Sequence, residues 1–180
     1  MKDLSIKLDN IKVAIFDFDD TLAFHKDRDF LKHRSENEET YLNFYLNAYL
    51  NPETFYESIE SCDKSDSLYK LINFLRNNGS KLYCLSGMRF SFHLKAKQNF
   101  INKYYGNDIE VISCYPQERK IDAVKIIQKI NNCDLSEILF VDDIKDNVDK
   151  LNNLGVSAFL IDEVDSSLAI KNDLCKKNEA

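Results

Sequence analysis

Residues 11–16, IKVAIF, form a short apolar run followed at once by three carboxylates, Asp17, Asp19 and Asp20, in the stretch IFDFDDTL. No position of VAIF is polar, so a strand here has no face to offer to water. It must lie inside a sheet that is covered on both sides. The acids sharpen the constraint. A carboxylate taken out of water costs free energy unless it is paired, and like charges this close raise each other's pKa. The end of a core strand must therefore meet compensating groups.

Similar runs recur at residues 81–85 (KLYCL), 109–113 (IEVIS), 137–141 (EILFV) and 156–161 (VSAFLI). Segments with helical spacing lie between them. In DSLYKLINFLRNNG, Leu68, Leu71, Ile72 and Leu75 share a face, and Gly79 fits a C-cap. In KIDAVKIIQKINN, Ile121, Val124 and either Ile127 or Ile130 repeat the pattern; in DNVDKLNNLG, Val148, Leu151 and Leu154 precede Gly155. Strands alternating with helices predict a parallel sheet with helices on both faces. Right-handed crossovers then bring all the strand ends to one side. The expected fold class is α/β: a Rossmann-like three-layer domain with a central parallel sheet of about five strands.

Residues 24–64 break the alternation. YLNFYLNAYLNPETFYESIE is rich in Tyr, Phe and Leu at mixed three- and four-residue spacing, divided by Pro52 with Asn51 as an N-cap. Two helices are expected, with HRSENEE before them as a loop or a helix start. The expected organisation is a core of residues 1–23 and 65–180 with a helical cap insert at 24–64. The polar tail KNDLCKKNEA reads as a frayed terminus.

With 180 residues, one domain with a small insert is expected, long enough for a proper core. The net charge of −6 comes from 30 acidic and 24 basic residues with no basic stripe, so general nucleic-acid binding is not expected. MKDLSIKLDN has no long apolar region and does not read as a signal peptide. The apolar runs are far short of a membrane span. The cytoplasm is the expected location. The five cysteines form no CxxC pair and are odd in number, which predicts small buried hydrophobes rather than a disulfide or zinc framework.

In an open α/β sheet, ligands bind beyond the carboxyl ends of the strands. Asp17, Asp19, Asp20 and Thr21 follow the first run; Ser86 and Gly87 follow the second; Asp142 and Asp143 follow the fourth, with Asp146 and Asn147 close behind; Lys120 opens the helix after the third. Strand alternation places residues i and i+2 on one side, so Asp17 and Asp19 are expected to share one site. Arg119 and Lys125 compete with Lys120 for the role of the cation.

This pattern resembles the haloacid dehalogenase (HAD) superfamily, and within it the phosphatase branch. The matching motifs are Asp17-Phe18-Asp19-Asp20-Thr21, Ser86 at the end of LYCLS, Lys120 at a helix start, and Asp142-Asp143 with Asp146-Asn147 after them. They cover residues 11–22 and roughly 66–162; the insert matches nothing by name. The resemblance implies hydrolysis of a phosphate monoester. Asp17 would be the nucleophile that forms an aspartyl phosphate, and Asp19 the general acid and then base. Thr21, Ser86 with the amide of Gly87, and Lys120 would bind the phosphoryl oxygens. Mg²⁺, which prefers six oxygen ligands, would be held by Asp17, the backbone carbonyl of Asp19, and Asp143, with Asp142 helping to hold the metal or Lys120.

The expected partner is a small phosphorylated substrate, with no membrane. A dehalogenase of the superfamily usually lacks the second Asp, and a P-type ATPase has membrane spans. A phosphotransferase or phosphomutase shares all four motifs. A non-catalytic binding or regulatory module is the reading from another class. His25, His33 and His93 have no metal-ligand spacing, and Arg89 is a candidate for a substrate anion. The oligomeric state is open, since the insert's aromatic residues could cover a neighbouring copy.

Overall fold

A computed structural model describes residues 8–24, 46, 49–57, 59–61, 67–88, 92–115 and 119–167. His25, His33, Tyr41, Phe44, Tyr45, Cys62, Arg89 and Cys175, and the HRSENEE and KNDLCKKNEA stretches, lie outside the described residues.

Five parallel strands form the central sheet: β1 (Val13–Phe16), β4 (Lys81–Ser86), β5 (Ile109–Ser113), β6 (Ile138–Asp142) and β7 (Ser157–Leu160). Their order is β5-β4-β1-β6-β7, so the first strand is central, between the second and fourth apolar runs. Val13 pairs with Lys81 on one side and Ile138 on the other. All four β1 residues are fully buried. This is the all-apolar strand that its sequence requires.

Strand alternation divides the core into two layers. Ala14, Phe16, Leu82, Cys84, Leu139 and Val141 face one cluster, closed by Leu68, Leu71, Ile72 and Leu75 of α2 (Ser67–Asn77), Ala96, Phe100 and Ile101 of α3 (Phe92–Tyr104) and Val164 of α6 (Ile161–Ser167). Val13, Ile15, Tyr83, Leu85, Ile138 and Phe140 face the other, closed by Val124 and Ile127 of α4 (Lys120–Ile130) and Val148 and Leu151 of α5 (Lys145–Asn153). Burying one such aliphatic side chain is worth about 1.5–3 kcal/mol, so covering both faces supplies most of the drive to fold.

Several sequence expectations are resolved here. Of Ile127 and Ile130, Ile127 is buried while Ile130 is 73% exposed. Gly79 and Gly155 follow α2 and α5 with φ of 81° and 91°, as left-handed C-caps require. Cys84, Cys114 and Cys133 are buried thiols. The 3₁₀ turn Leu135–Glu137 takes Glu137 out of the strand expected at 137–141, and β6 instead runs to Asp142. Among the described residues, no helix is long and apolar enough to cross a membrane.

Several elements were not expected, helix α6 after β7 among them. The helix α3 lies between the second and third parallel strands. A two-residue strand, β2 (Ala23–Phe24), pairs antiparallel with β3 (Glu60–Ser61), so the segment between them leaves and returns at one place. Within that segment, α1 (Pro52–Glu57) follows Asn51, whose carbonyl accepts from Phe55 N at 2.9 Å. Tyr56 and Ile59 are buried in the same core layer as α2 and α3.

Candidate active site

Strand β1 ends at Phe16, and the chain then turns sharply. The carbonyl of Phe18 accepts from Leu22 N at 3.0 Å and Ala23 N at 2.8 Å, while Asp20 N returns to Ala23 O at 2.9 Å. Asp20 sits at φ 55°, a left-handed conformation that Asp tolerates better than most residues. Its short polar side chain explains the residue chosen there. The ring of Phe18 is fully buried, edge-on to Tyr56 at 5.4 Å and to Phe100 at 5.3 Å. The apolar residue between the two acids therefore anchors the turn.

This corrects the strand-alternation argument for Asp17 and Asp19. Both lie past the strand, in the turn, and each meets its own lysine. Lys120 Nζ donates to Asp17 Oδ1 at 2.7 Å and to Asp142 Oδ2 at 2.8 Å. Lys97 Nζ donates to Asp19 Oδ2 at 2.6 Å and to Ser86 Oγ at 2.7 Å. Lys120 and Lys97 are 1% and 2% exposed, which a lysine tolerates only when its charge is paired.

Of the three candidate cations after β5, Lys120 is the one buried against the carboxylates at the strand ends. Arg119 and Lys125 are exposed, whereas the first residue of α4 points inward to the ends of β1 and β6. Asp142 is completely buried and fully engaged. Its Oδ1 accepts from Ile144 N at 2.8 Å, and its Oδ2 accepts from Asn147 Nδ2 at 3.1 Å as well as from Lys120. Asp143 is exposed beside it, and Asp146 pairs instead with Lys150 on the outer face of α5.

The charge balance follows from this arrangement. Burial raises the Asp17 carboxyl to about 6; Lys120 opposes the shift, while Asp142 and Asp19 add to it. Partial burial raises Asp143 to about 7, reinforced by Asp17 and Asp142. Burial works against the charged form of Lys120, but Asp17 and Asp142 outweigh it and hold the ammonium above its ordinary pKa. One lysine is thus set against three neighbouring carboxylates.

A carboxylate oxygen from each of Asp17, Asp142 and Asp143 lies within 4.8 Å of the others, so the three could hold a metal ion. Three hard oxygens fit Mg²⁺ better than a softer transition metal. The unbalanced negative charge gives the same fit an electrostatic reason.

Thr21 is fully buried, and its Oγ1 has no hydrogen-bond partner among the described residues. A buried hydroxyl without a partner carries a penalty of about 1–3 kcal/mol. Ser86 is also fully buried, at the end of β4, and the chain beyond it is tied down by Met88 N to Cys114 O at 3.2 Å. Gly87 follows Ser86 and is exposed. The structure therefore brings Asp17, Asp142, Asp143 and Lys120 into one cluster, and joins Asp19 to Ser86 through Lys97. Sequence reading passed over Lys97.

No family model matches the sequence, and no curated protein matches it. Solved structures do resemble the chain. The N-terminal part of the protein BF1531 from Bacteroides fragilis, containing a phosphatase domain complexed with Mg, is 14% identical over 83% of this chain and 35% of that one, with a TM-score of 0.51. The HAD family enzyme BT-2542 from Bacteroides thetaiotaomicron, in a magnesium complex, is 19% identical over 84% of this chain and 93% of its own, with a TM-score of 0.49. At these identities the likeness is one of fold. With a parallel sheet in the order β5-β4-β1-β6-β7, helices on both faces and acids gathered beyond β1 and β6, the chain has a Rossmann-like three-layer α/β fold similar to that of the BF1531 domain.

Proposed function

We propose that this chain is a Mg²⁺-dependent phosphatase of the HAD-like superfamily, which hydrolyses a small phosphate monoester through an aspartyl phosphate on Asp17. One observation carries the proposal. Asp17, only 4% exposed, shares a buried ammonium with Asp142 while its carboxylate faces that of Asp143 within 4.8 Å. Such an arrangement is a poor way to stabilise a fold, since buried ion pairs seldom outperform apolar packing. It suits a site that must hold a nucleophilic carboxylate, a cation and a phosphoryl group together.

Asp17, Asp143 and the backbone carbonyl of Asp19 would hold Mg²⁺, with Asp142 as a further ligand or as the anchor of Lys120. When bound, the metal offsets charge on the phosphoryl oxygens. The protein's own groups do the rest. Asp17 attacks phosphorus as the ester P–O bond breaks, and Asp19 gives a proton to the leaving oxygen. Asp19 then takes a proton from the attacking water as the acyl phosphate P–O bond breaks and phosphate leaves. Lys120, Thr21, Ser86 and the amide of Gly87 would bind the phosphoryl oxygens. The unpartnered hydroxyl of buried Thr21 supports its part in this.

Residues 24–64 would form a cap that selects the substrate. The paired β2 and β3 and the contact of Tyr56 with Phe18 support this, because they tether the insert beside the acidic turn. Closure would also shield the aspartyl phosphate from water.

The test is turnover of p-nitrophenyl phosphate with Mg²⁺, followed by mass spectrometry of acid-quenched enzyme. Asp17→Asn should remove both turnover and the phosphorylated species while remaining folded. Wild-type rates in that variant would refute the covalent route.

A further inference from the structure

The two buried lysines divide the site into halves. Lys120 belongs to the half with Asp17, Asp142 and Asp143. Lys97 belongs to the half with Asp19 and Ser86, and it comes from α3, an element that carries none of the four motifs. Its ammonium also lies over the Phe18 ring, 4.3 Å from the centroid, and 5.3 Å from that of Tyr56. Two donors are directed to oxygens and the remainder of the group is walled by aromatic faces, so its position is closely fixed. The Asp19 side chain is 45% exposed, in contrast with the buried Asp17.

We propose that Lys97 is a positioning residue for the phosphoryl-transfer reaction, fixing the Asp19 carboxyl and the Ser86 hydroxyl in one arrangement. The inference rests on the phosphatase assignment above. Asp19 Oδ2 accepts from Lys97, which fixes the carboxyl that delivers a proton to the leaving oxygen and later draws one from water. Ser86 Oγ accepts from the same ammonium, so its own proton is directed away from Lys97, toward a phosphoryl oxygen. Lys97 itself gives up no proton and forms no covalent bond. Removing a lysine that served only the fold would cost stability and leave the dependence on the leaving group unchanged; removing one that aims a general acid changes that dependence.

The experiment measures leaving-group dependence in a series of substituted phenyl phosphates, from p-nitrophenyl to p-methoxyphenyl, at saturating Mg²⁺. A nitrophenolate needs little protonation on departure, whereas a methoxyphenolate needs much. Correct placement of a general acid or base is worth about 10²–10⁴-fold. Lys97→Met should lower kcat/KM about tenfold on the nitrophenyl ester and at least about a hundredfold on the methoxyphenyl ester, steepening the dependence. Nitrophenyl phosphate should also give a burst of about one equivalent of product followed by slow turnover, because Asp19 is needed again for hydrolysis.

Lys97→Arg keeps the charge but cannot place both donors alike, and should steepen the dependence to an intermediate degree. If Lys97→Met does not fold, the arginine variant decides the matter by its slope. A folded variant that loses activity equally on every ester overturns the positioning role and leaves the phosphatase assignment standing. A wild-type protein with no turnover across the series overturns that assignment and this inference with it.

Discussion

Replacing Lys120 by Met should expose how much strain the acidic cluster places on the fold. The substitution keeps the length of the stem and removes an ammonium that is 1% exposed and donates at 2.7 Å to Asp17 and 2.8 Å to Asp142. Two hydrogen bonds to charged groups at about 1.5–3 kcal/mol each give about 3–6 kcal/mol. Breaking a buried ion pair from one side typically costs about 3–5 kcal/mol, because the remaining charge is stranded. The two routes agree on about 3–5 kcal/mol. For a chain of this size that corresponds to a melting temperature lower by about 6–20 °C. The assay is equilibrium urea unfolding followed by circular dichroism, with chelator present. Adding Asp17→Asn removes one of the stranded carboxylates, so the double variant should be more stable than the sum of the single effects by about 1–3 kcal/mol. A loss below about 1 kcal/mol for Lys120→Met, or additivity within about 0.5 kcal/mol, would refute the reasoning.

Three further outcomes are expected. Phosphatase activity should disappear in excess chelator and return with Mg²⁺ but poorly with Ca²⁺, which prefers looser and more numerous ligands; full turnover in chelator would remove the metal from the proposal. Gly79→Ala should destabilise by about 1–2 kcal/mol through backbone conformation alone, since φ is 81° and a Cβ there would meet nothing within 4 Å; a neutral melting curve would contradict this. Burial lowers the His93 pKa below its usual 6.5, with Lys97 acting in the same direction, so the unfolded chain binds the proton more readily. Stability contributed by His93 should therefore be present above about pH 6.5 and decline as the pH falls below it, and His93→Gln should flatten that decline in urea midpoints.

Much of the fold could be read from local pattern because its strands are apolar throughout and its helices keep one apolar face. Burial of β1 on both faces follows from VAIF, whereas its central place beside the second and fourth apolar runs is what the resemblance to the HAD superfamily implies. Helix α3 was missed for an identifiable reason. Its inward face carries Ala96, Phe100 and Ile101, but also the buried Lys97. A charge on the core face blurs the hydrophobic period that marks a helix. Chain connectivity still held a signal, since two parallel strands at 81–86 and 109–113 need a crossover between them. Strands β2 and β3 have two residues each, too few for alternation to register.

The sequence by itself determined which residue types stand at each strand end, because an apolar run must stop where polar chemistry begins. It marked Asp17, Asp19, Ser86, Asp142 and Asp143 as neighbours-to-be once the strands were taken as parallel. Tertiary structure alone decided how their charges are compensated. Arg119, Lys120 and Lys125 are equivalent by composition, and only the position of α4 against β1 and β6 buries Lys120 between Asp17 and Asp142. Lys97 is 78 residues from Asp19 along the chain. Coulomb and hydrogen-bond energies depend on distance in space, so no local reading of LKAKQN could assign that ammonium to the acid it holds.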